Sequence, residues 1–310
     1  MPAIETNDLR KRFPGGTVAL DGLDMTVEEG EVYGFLGPNG AGKTTTINIL
    51  LGFSAPTGGK ARMLGRDVTT DTEELRRQIG VLPEGATPYD RLTGREHVEF
   101  AAEAKDVEIE TDEILSRVGL SLTDADRPAG EYSKGMAQRL GLAMALVGDP
   151  DLLVLDEPSS GLDPSGMTEM RELIRTEADT GTTVFFSSHV LSEVRAVCDR
   201  AGILGDGKLR AEDTVVALER RSGAETTITF ELESPPDDDL GLGEVPAVVD
   251  VTAEKRTLTV KCDDPSAKTT VIRRVDEQAA VANTVSEAPS LEDAFEVHTT
   301  DNRNVEEAME

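Results

Sequence analysis

The run Gly37-Pro38-Asn39-Gly40-Ala41-Gly42-Lys43-Thr44-Thr45 decides the fold. It satisfies G-x-x-x-x-G-K-[ST], the pattern of a phosphate-binding loop. Val32-Tyr33-Gly34-Phe35-Leu36 in front of it reads as a buried strand. Thr46-Ile47-Asn48-Ile49-Leu50-Leu51 behind it reads as a helix closed by Gly52. Strand, glycine loop and helix in that order are the context the motif requires. The residue types follow from the chemistry. A phosphate chain must approach several backbone N–H groups, and Gly37, Gly40 and Gly42 leave it room. The helix that starts near Lys43 points its positive dipole end at the anion. Lys43 supplies a point charge to the β- and γ-phosphates and Thr44 a hydroxyl to Mg²⁺. The ligand class this implies is a nucleoside triphosphate.

Around the loop the chain reads in order. Residues 3–9 and 18–27 are strands of a hairpin turned by Pro14-Gly15-Gly16, and 58–68 a further strand and turn. Residues 72–77 form a polar helix and 79–82 a strand. Residues 93–119 look helical, with Thr93 and Glu96 spaced as a capping box, and 112–118 a further helix stopped by Gly119. Residues 135–147 are an apolar helix, 151–155 a buried strand, 165–178 an amphipathic helix, 182–187 a strand, 191–197 a helix and 201–204 a strand. Alternation after residue 30 argues for a mostly parallel α/β sheet, and the helices of 93–147 interrupt it as an insertion. Residues 205–222 bridge to a different pattern. Strands at 226–232, 248–254, 256–262 and 281–286 with a helix at 266–277 make a small α+β domain. From about Thr300 the end is polar and reads as disordered.

The 310 residues leave room for about two domains. The net charge of −29 comes from 60 acidic residues against 31 basic ones. It is spread along the whole chain, so the surface repels nucleic acid. An acid-rich, lysine-poor composition resembles that of proteins from extreme halophiles, and the expectation is a fold that is most stable in molar salt. Two cysteines, Cys198 and Cys262, without a C-x-x-C spacing, read as reduced thiols of a cytoplasmic protein. No basic-then-apolar leader opens the chain and no apolar run reaches 18 residues.

A second element lies about 110 residues beyond the loop. Leu152-Leu153-Val154-Leu155-Asp156-Glu157 is an apolar strand that ends in two carboxylates. Asp156 there sits near Mg²⁺, and Glu157 faces the γ-phosphate side, where it polarises water. Further along come Tyr132-Ser133-Lys134-Gly135-Met136-Ala137-Gln138-Arg139, Ser160-Gly161-Leu162-Asp163, and Phe185-Phe186-Ser187-Ser188-His189.

In that order these segments resemble the motifs of the ATP-binding cassette subunits of ABC transporters, over residues 1 to about 220. The resemblance implies an α/β P-loop NTPase with a RecA-like core, an N-terminal antiparallel β subdomain and an inserted helical subdomain at about 84–147. The accessory α+β domain is expected at 221–300 and the tail at 301–310. It implies that Phe13 stacks on adenine and that Gly37 through Thr45 hold the phosphates of ATP. Lys43, Glu157 and His189 carry catalysis, and Thr44, Glu84 and Asp156 surround Mg²⁺. Ser133, Lys134, Gly135 and Met136 form the signature segment facing the ATP of a partner chain, and Asp163 belongs to the D-loop. The chain departs from the common pattern at Lys134 and Met136, and at Glu84, which replaces a glutamine after Val81-Leu82-Pro83. With Ser290-Leu291-Glu292-Asp293-Ala294-Phe295 near the end, it looks most like the exporter branch of daunorubicin-type drug carriers and lipid or polysaccharide exporters.

The implied function is ATP hydrolysis that powers export through a separate membrane permease. The implied assembly is a homodimer or paired cassette, peripheral at the inner face of the cell membrane, with no nucleic-acid partner. The rival is a soluble ABC ATPase acting as a nucleotide switch. Against it stand the charge and the lack of both a long heptad segment and a second phosphate loop. A small-molecule kinase would leave the signature and D-loop segments unexplained.

Overall fold

A computed structural model describes residues 1–222, 225–236, 239–264 and 266–300. The expected disordered tail at 301–310 lies outside them. The chain divides into two units, Met1–Val215 and Val216–Thr300.

The first unit opens with β1 (Pro2–Arg12) and β2 (Val18–Glu28), an antiparallel pair. Then come β3 (Val32–Leu36), α1 (Lys43–Leu50), β4 (Gly58–Met63), β5 (Arg66–Asp67), α2 (Thr72–Gln78) and β6 (Ile79–Leu82). The insertion holds α3 (Gly94–Lys105), α4 (Thr111–Arg117), α5 (Leu122–Ala125) and α6 (Lys134–Leu146). After it follow β7 (Leu152–Asp156), α7 (Pro164–Asp179), β8 (Thr183–Ser188), α8 (Leu191–Val197), β9 (Arg200–Gly205) and β10 (Lys208–Thr214).

Two sheets result. One is a four-stranded antiparallel sheet in the order β2-β1-β4-β5, and the other a six-stranded sheet in the order β10-β9-β3-β8-β7-β6. Within the six, β9, β3, β8, β7 and β6 run parallel, and β10 pairs antiparallel at the edge. Every residue of β3, β7 and β8 is buried, as apolar runs covered on both faces must be. The centre is aromatic: Phe185 lies 5.9 Å from the Tyr33 ring and 5.3 Å from Phe35. A single apolar core spans both sheets. The parallel strands therefore release their C-terminal ends at one edge, where α/β sheets place their ligands.

Contacts at α4 and α6 help tie the helical insertion to this core. Arg117 of α4 donates to both carboxylate oxygens of buried Glu177 on α7, and to Asp149 at 2.8 Å. The helix α6 lies against β6 with almost no clearance, since a Cβ on Gly80 would stand 2.2 Å from the Ala145 carbonyl oxygen.

The second unit takes in α9 (Val215–Arg221) from its second residue. Its antiparallel sheet takes the order β12-β13-β11-β14, from β11 (Thr226–Leu232), β12 (Val248–Glu254), β13 (Thr257–Cys262) and β14 (Val281–Glu287). It also contains α10 (Ala267–Gln278) and α11 (Leu291–Thr300). Ile228, Phe230, Leu258 and Val260 pack with Val271 and Val275 of α10 in its own core.

The expected α/β architecture with its antiparallel, helical and α+β parts is present. Two local readings need correction. The helical stretch expected over 93–119 is interrupted at 106–110: α3 ends where Asp106 turns left-handed (φ 57), a conformation a short polar side chain tolerates, and the further helix expected at 112–118 is α4, from Thr111. The bridge 205–222 contains β10 and α9. The edge strand β10 has no fully buried residue, so it carries no apolar alternation, and its pairing with β9 defines it. The Ser290–Phe295 run opens α11, where Ser290 accepts from the Asp293 N–H and Asp293 from the Ser290 N–H.

Candidate functional site

The phosphate loop joins β3 to α1 at the C-terminal edge of the parallel sheet. Gly42 stands as the N-cap of α1 with φ 114. A Cβ there would lie 2.6 Å from the Ala19 carbonyl oxygen, and one on Gly37 2.7 Å from that of Leu204. These two glycines thus serve the protein's own packing. Gly40, with φ +83, is the one of the three whose missing Cβ faces open space. Ala41 is buried and points away from the cavity. The Lys43 ammonium arches back over the loop and donates to the Gly37 carbonyl at 2.6 Å.

A cavity of about 250 Å³ lies on this loop, lined by Pro38, Asn39, Gly40, Gly42, Lys43, Thr44 and Thr45. Into the same cavity the fold brings Glu84, Asp156, Glu157 and His189. Each comes from just beyond or at the end of a parallel strand: Glu84 after β6, Asp156 and Glu157 at β7, His189 after β8. Neighbouring strands that end together convert four distant sequence positions into one wall.

The carboxylates are held by β8. The Ser187 hydroxyl donates to Asp156, and the Glu157 N–H donates to both the carbonyl and the hydroxyl oxygen of Ser187, each at 3.2 Å. Glu157 takes a left-handed backbone (φ 52) that is costly for a side chain of its size and is maintained by these contacts. His189 Nδ1–H donates to Glu157 Oε2 at 2.8 Å, which fixes that tautomer. Burial pushes the Glu157 carboxyl above its ordinary range, against the pull of His189 and Lys43. Burial also raises Asp156, the Ser187 hydrogen bond opposes it, and the charge of Glu84 adds to it.

Ser187 was not singled out from the sequence as a site residue, nor was Ala19, which lines the cavity. The change from Phe185-Phe186 to two small hydroxyl residues at the end of a buried strand is the signal for Ser187.

The other expected residues lie elsewhere. Phe13 is 40% exposed on a separate depression with Val18 and Leu20, the neighbours of Ala19. The Lys11 ammonium stands 5.1 Å from its ring centre. Ser133 is the N-cap of α6 and accepts from the Met136 N–H at 3.2 Å. The helix therefore starts one residue earlier than the sequence reading placed it. Ser133, Gly135 and Met136 line a cavity of about 490 Å³ with Gly161, Leu162 and Asp163. Asp163 caps α7 by accepting from the Gly166 N–H at 2.8 Å. Lys134 turns away from the other signature residues. It lies across Gly161 and faces a different cavity, shared with Ser160 and Glu157.

The donor set suits a nucleoside triphosphate with a divalent cation. Unencumbered backbone at Gly40, the start of α1 and the Lys43 charge match a phosphate chain. Magnesium is ordinarily held by one or two carboxylates together with phosphate oxygens and water, which the Thr44 hydroxyl, Asp156 and Glu84 allow.

Comparison with known proteins agrees with this fold. The family model described as ABC transporter matches residues 20–160. An ABC transporter ATP-binding protein of Nostoc sp. is 44% identical over 218 residues, 66% of this chain and 64% of that protein. The daunorubicin/doxorubicin resistance ATP-binding protein DrrA of Streptomyces peucetius is 34% identical over 99% of this chain and 96% of its own length. Among solved structures, the ATP binding subunit of an ABC transporter superposes with a TM-score of 0.65 at 29% identity, covering 71% of this chain and 93% of that one. A dimeric bacterial ABC transporter cassette superposes with a TM-score of 0.63 at 25% identity, covering 68% and 98%.

Fold and site together define a P-loop NTPase with a helical insertion, a nucleotide-hydrolysing cassette. The chain belongs to the ABC transporter family, as one of its ATP-binding subunits. Among the described residues no helix is long and apolar enough to cross a membrane.

Proposed function

We propose that this chain binds and hydrolyses ATP to power export through a separate integral-membrane permease, at whose cytoplasmic face it is held. The observation that carries the reading is the single cavity in which the phosphate loop meets Asp156, Glu157 and His189. The chain-long similarity to a drug-resistance ATP-binding protein supports the transport direction.

In this reading Lys43 leaves the Gly37 carbonyl for the phosphate oxygens, which offer it a stronger, charged acceptor. Thr44, Asp156 and Glu84 hold the cation, which when bound neutralises charge on the leaving phosphates. Glu157 accepts a hydrogen bond from the attacking water and aligns it. Its raised proton affinity, set by burial, makes it a stronger base than an exposed carboxylate. His189 keeps that carboxylate aimed and leaves Nε2 available toward the cavity. Phe13 supplies an exposed ring for the adenine.

The signature residues Ser133, Gly135 and Met136 line a cavity distinct from the phosphate cavity of their own chain. They reach a phosphate chain when a second cassette pairs head to tail, and the dimeric relative supports the pairing of two cassettes. Each composite site then takes the loop, Asp156, Glu157 and His189 from one protomer and the signature segment from its partner.

The test is Mg-ATP turnover and oligomeric state of the wild type and Glu157→Gln. The expected result is a loss of turnover of about 10²–10⁴-fold with an ATP-dependent dimer, the loss being the usual contribution of a positioned acid–base group. A Glu157→Gln variant that hydrolyses ATP normally and stays monomeric overturns the assignment.

A further inference from the structure

We propose that Glu193, seated on the hidden side of α8, is a positioning residue for hydrolysis, acting on His189 through Ser188. The inference rests on the reading of Glu157 and His189 given above.

His189 is weakly held as a side chain. Its side chain is 61% exposed and, among the described residues, its ring makes one hydrogen bond, to Glu157. Where the imidazole sits depends on the backbone of residues 188–190, which also hydrogen-bonds Glu157 from His189 itself. That backbone is closed by one hydroxyl. Ser188 Oγ accepts from the Val190 N–H at 2.9 Å, a side-chain turn that brackets His189. The same hydroxyl donates to Glu193 Oε2 at 3.1 Å. Since Ser188 is fully buried, its proton has no water to turn to, and the carboxylate fixes the rotor in the orientation that leaves a lone pair for Val190.

Glu193 itself is 2% exposed, and its Oε1 has no hydrogen-bond partner among the described residues. A buried carboxylate oxygen without a partner costs stability, and an apolar residue of similar volume at this place on α8 would avoid that cost. Such an orphan in a helix packed on the core calls for a reason beyond packing. The geometry supplies one. Ser187 on one side of the segment fixes Asp156 and the Glu157 N–H, and Ser188 with Glu193 on the other side fixes the turn that aims His189 at Glu157.

The experiment is a coupling measurement on the full chain, with Mg-ATP turnover and KM for ATP as readouts. Glu193→Met keeps the volume and removes the acceptor, and Glu193→Gln keeps an acceptor oxygen. The expected result for Glu193→Met is a kcat about 10-fold lower, a fraction of the 10²–10⁴ range of a direct acid–base group, with KM within about twofold. Glu193→Gln restores turnover. In a His189→Ala background Glu193→Met causes no further loss, because the residue it positions is gone.

Wild-type turnover in Glu193→Met, or losses that multiply in the double variant, would overturn the proposal while leaving the role of His189 intact. Wild-type turnover in His189→Ala would overturn the role of His189 and this inference with it. If Glu193→Met does not fold, Ser188→Ala removes the same contact from the other end. The same loss, absent in the His189→Ala background, is then expected, and wild-type turnover overturns the proposal.

Discussion

His189 Nδ1–H donates to Glu157 Oε2 at 2.8 Å and so ties the loop after β8 to the loop after β7. One partner is an exposed imidazole in water, the other a carboxylate that the fold has taken out of water. The buried Glu157 carboxyl couples protonation to folding.

Burial raises the Glu157 carboxyl above its unfolded value, so between the unfolded and the folded value the native state binds more protons than the unfolded one, and stability falls as pH rises through that window. Stability is then lower at neutral pH than it would be without the charge. Glu157→Gln is expected to raise Tm at pH 7.5, by about 2–4 °C for each kcal/mol relieved. The gain should fade as pH falls below about 4, where the unfolded carboxylate also protonates. Thermal melts of both proteins across pH 3.5–8 test this, and equal Tm values at pH 7.5 contradict it.

Arg117 is 32% exposed and its partner Glu177 1%. Arg117→Met leaves the carboxylate buried and uncompensated. The expected cost is about 3 kcal/mol, the low end for breaking a buried pair, because the arginine is partly solvated. Urea denaturation measures it. Arg117→Met with Glu177→Leu is expected to recover most of the loss, and a single variant with an unshifted midpoint refutes the clamp.

Gly80 has no room for a methyl group beneath the Ala145 carbonyl. Gly80→Ala must push α6 off β6, at a cost of about 1–3 kcal/mol in stability. As α6 carries the signature segment, ATP-dependent dimerisation should weaken with it. Size-exclusion chromatography with Mg-ATP reads that effect directly, and unimpaired dimerisation counts against it.

The net charge of −29 repels itself at every pH near neutral. Molar KCl shortens the screening length from about 10 Å at 0.1 M to about 3 Å. Tm is expected to rise between those conditions. A flat melting temperature sinks the expectation of salt-dependent stability.

Much of the site was legible in the chain. The phosphate loop, the Asp156-Glu157 strand end and His189 could be read because each is a local pattern, an apolar run followed by polar residues at fixed offsets. The apolar runs were legible as strands for the same reason. The edge strand β10 was not, because its residues are only half-buried and its partner supplies the order. The break between α3 and α4 hid in a polar stretch without glycine or proline, where Asp106 takes the left-handed turn.

By itself, then, the sequence determined the apolar strands around the phosphate loop, the phosphate chemistry and the placing of Lys43, Asp156, Glu157 and His189 at a helix start or strand end, because those depend on neighbours along the chain. The tertiary structure decided which ends meet. Parallel pairing of β6, β7, β8 and β3 set Glu84, Asp156, Glu157 and His189 around Lys43. It also decided that Gly37 and Gly42 yield space to the carbonyls of Leu204 and Ala19, and that Lys134 turns away from the signature residues beside it. Steric room and burial are properties of contacts between distant segments, and no local pattern encodes them.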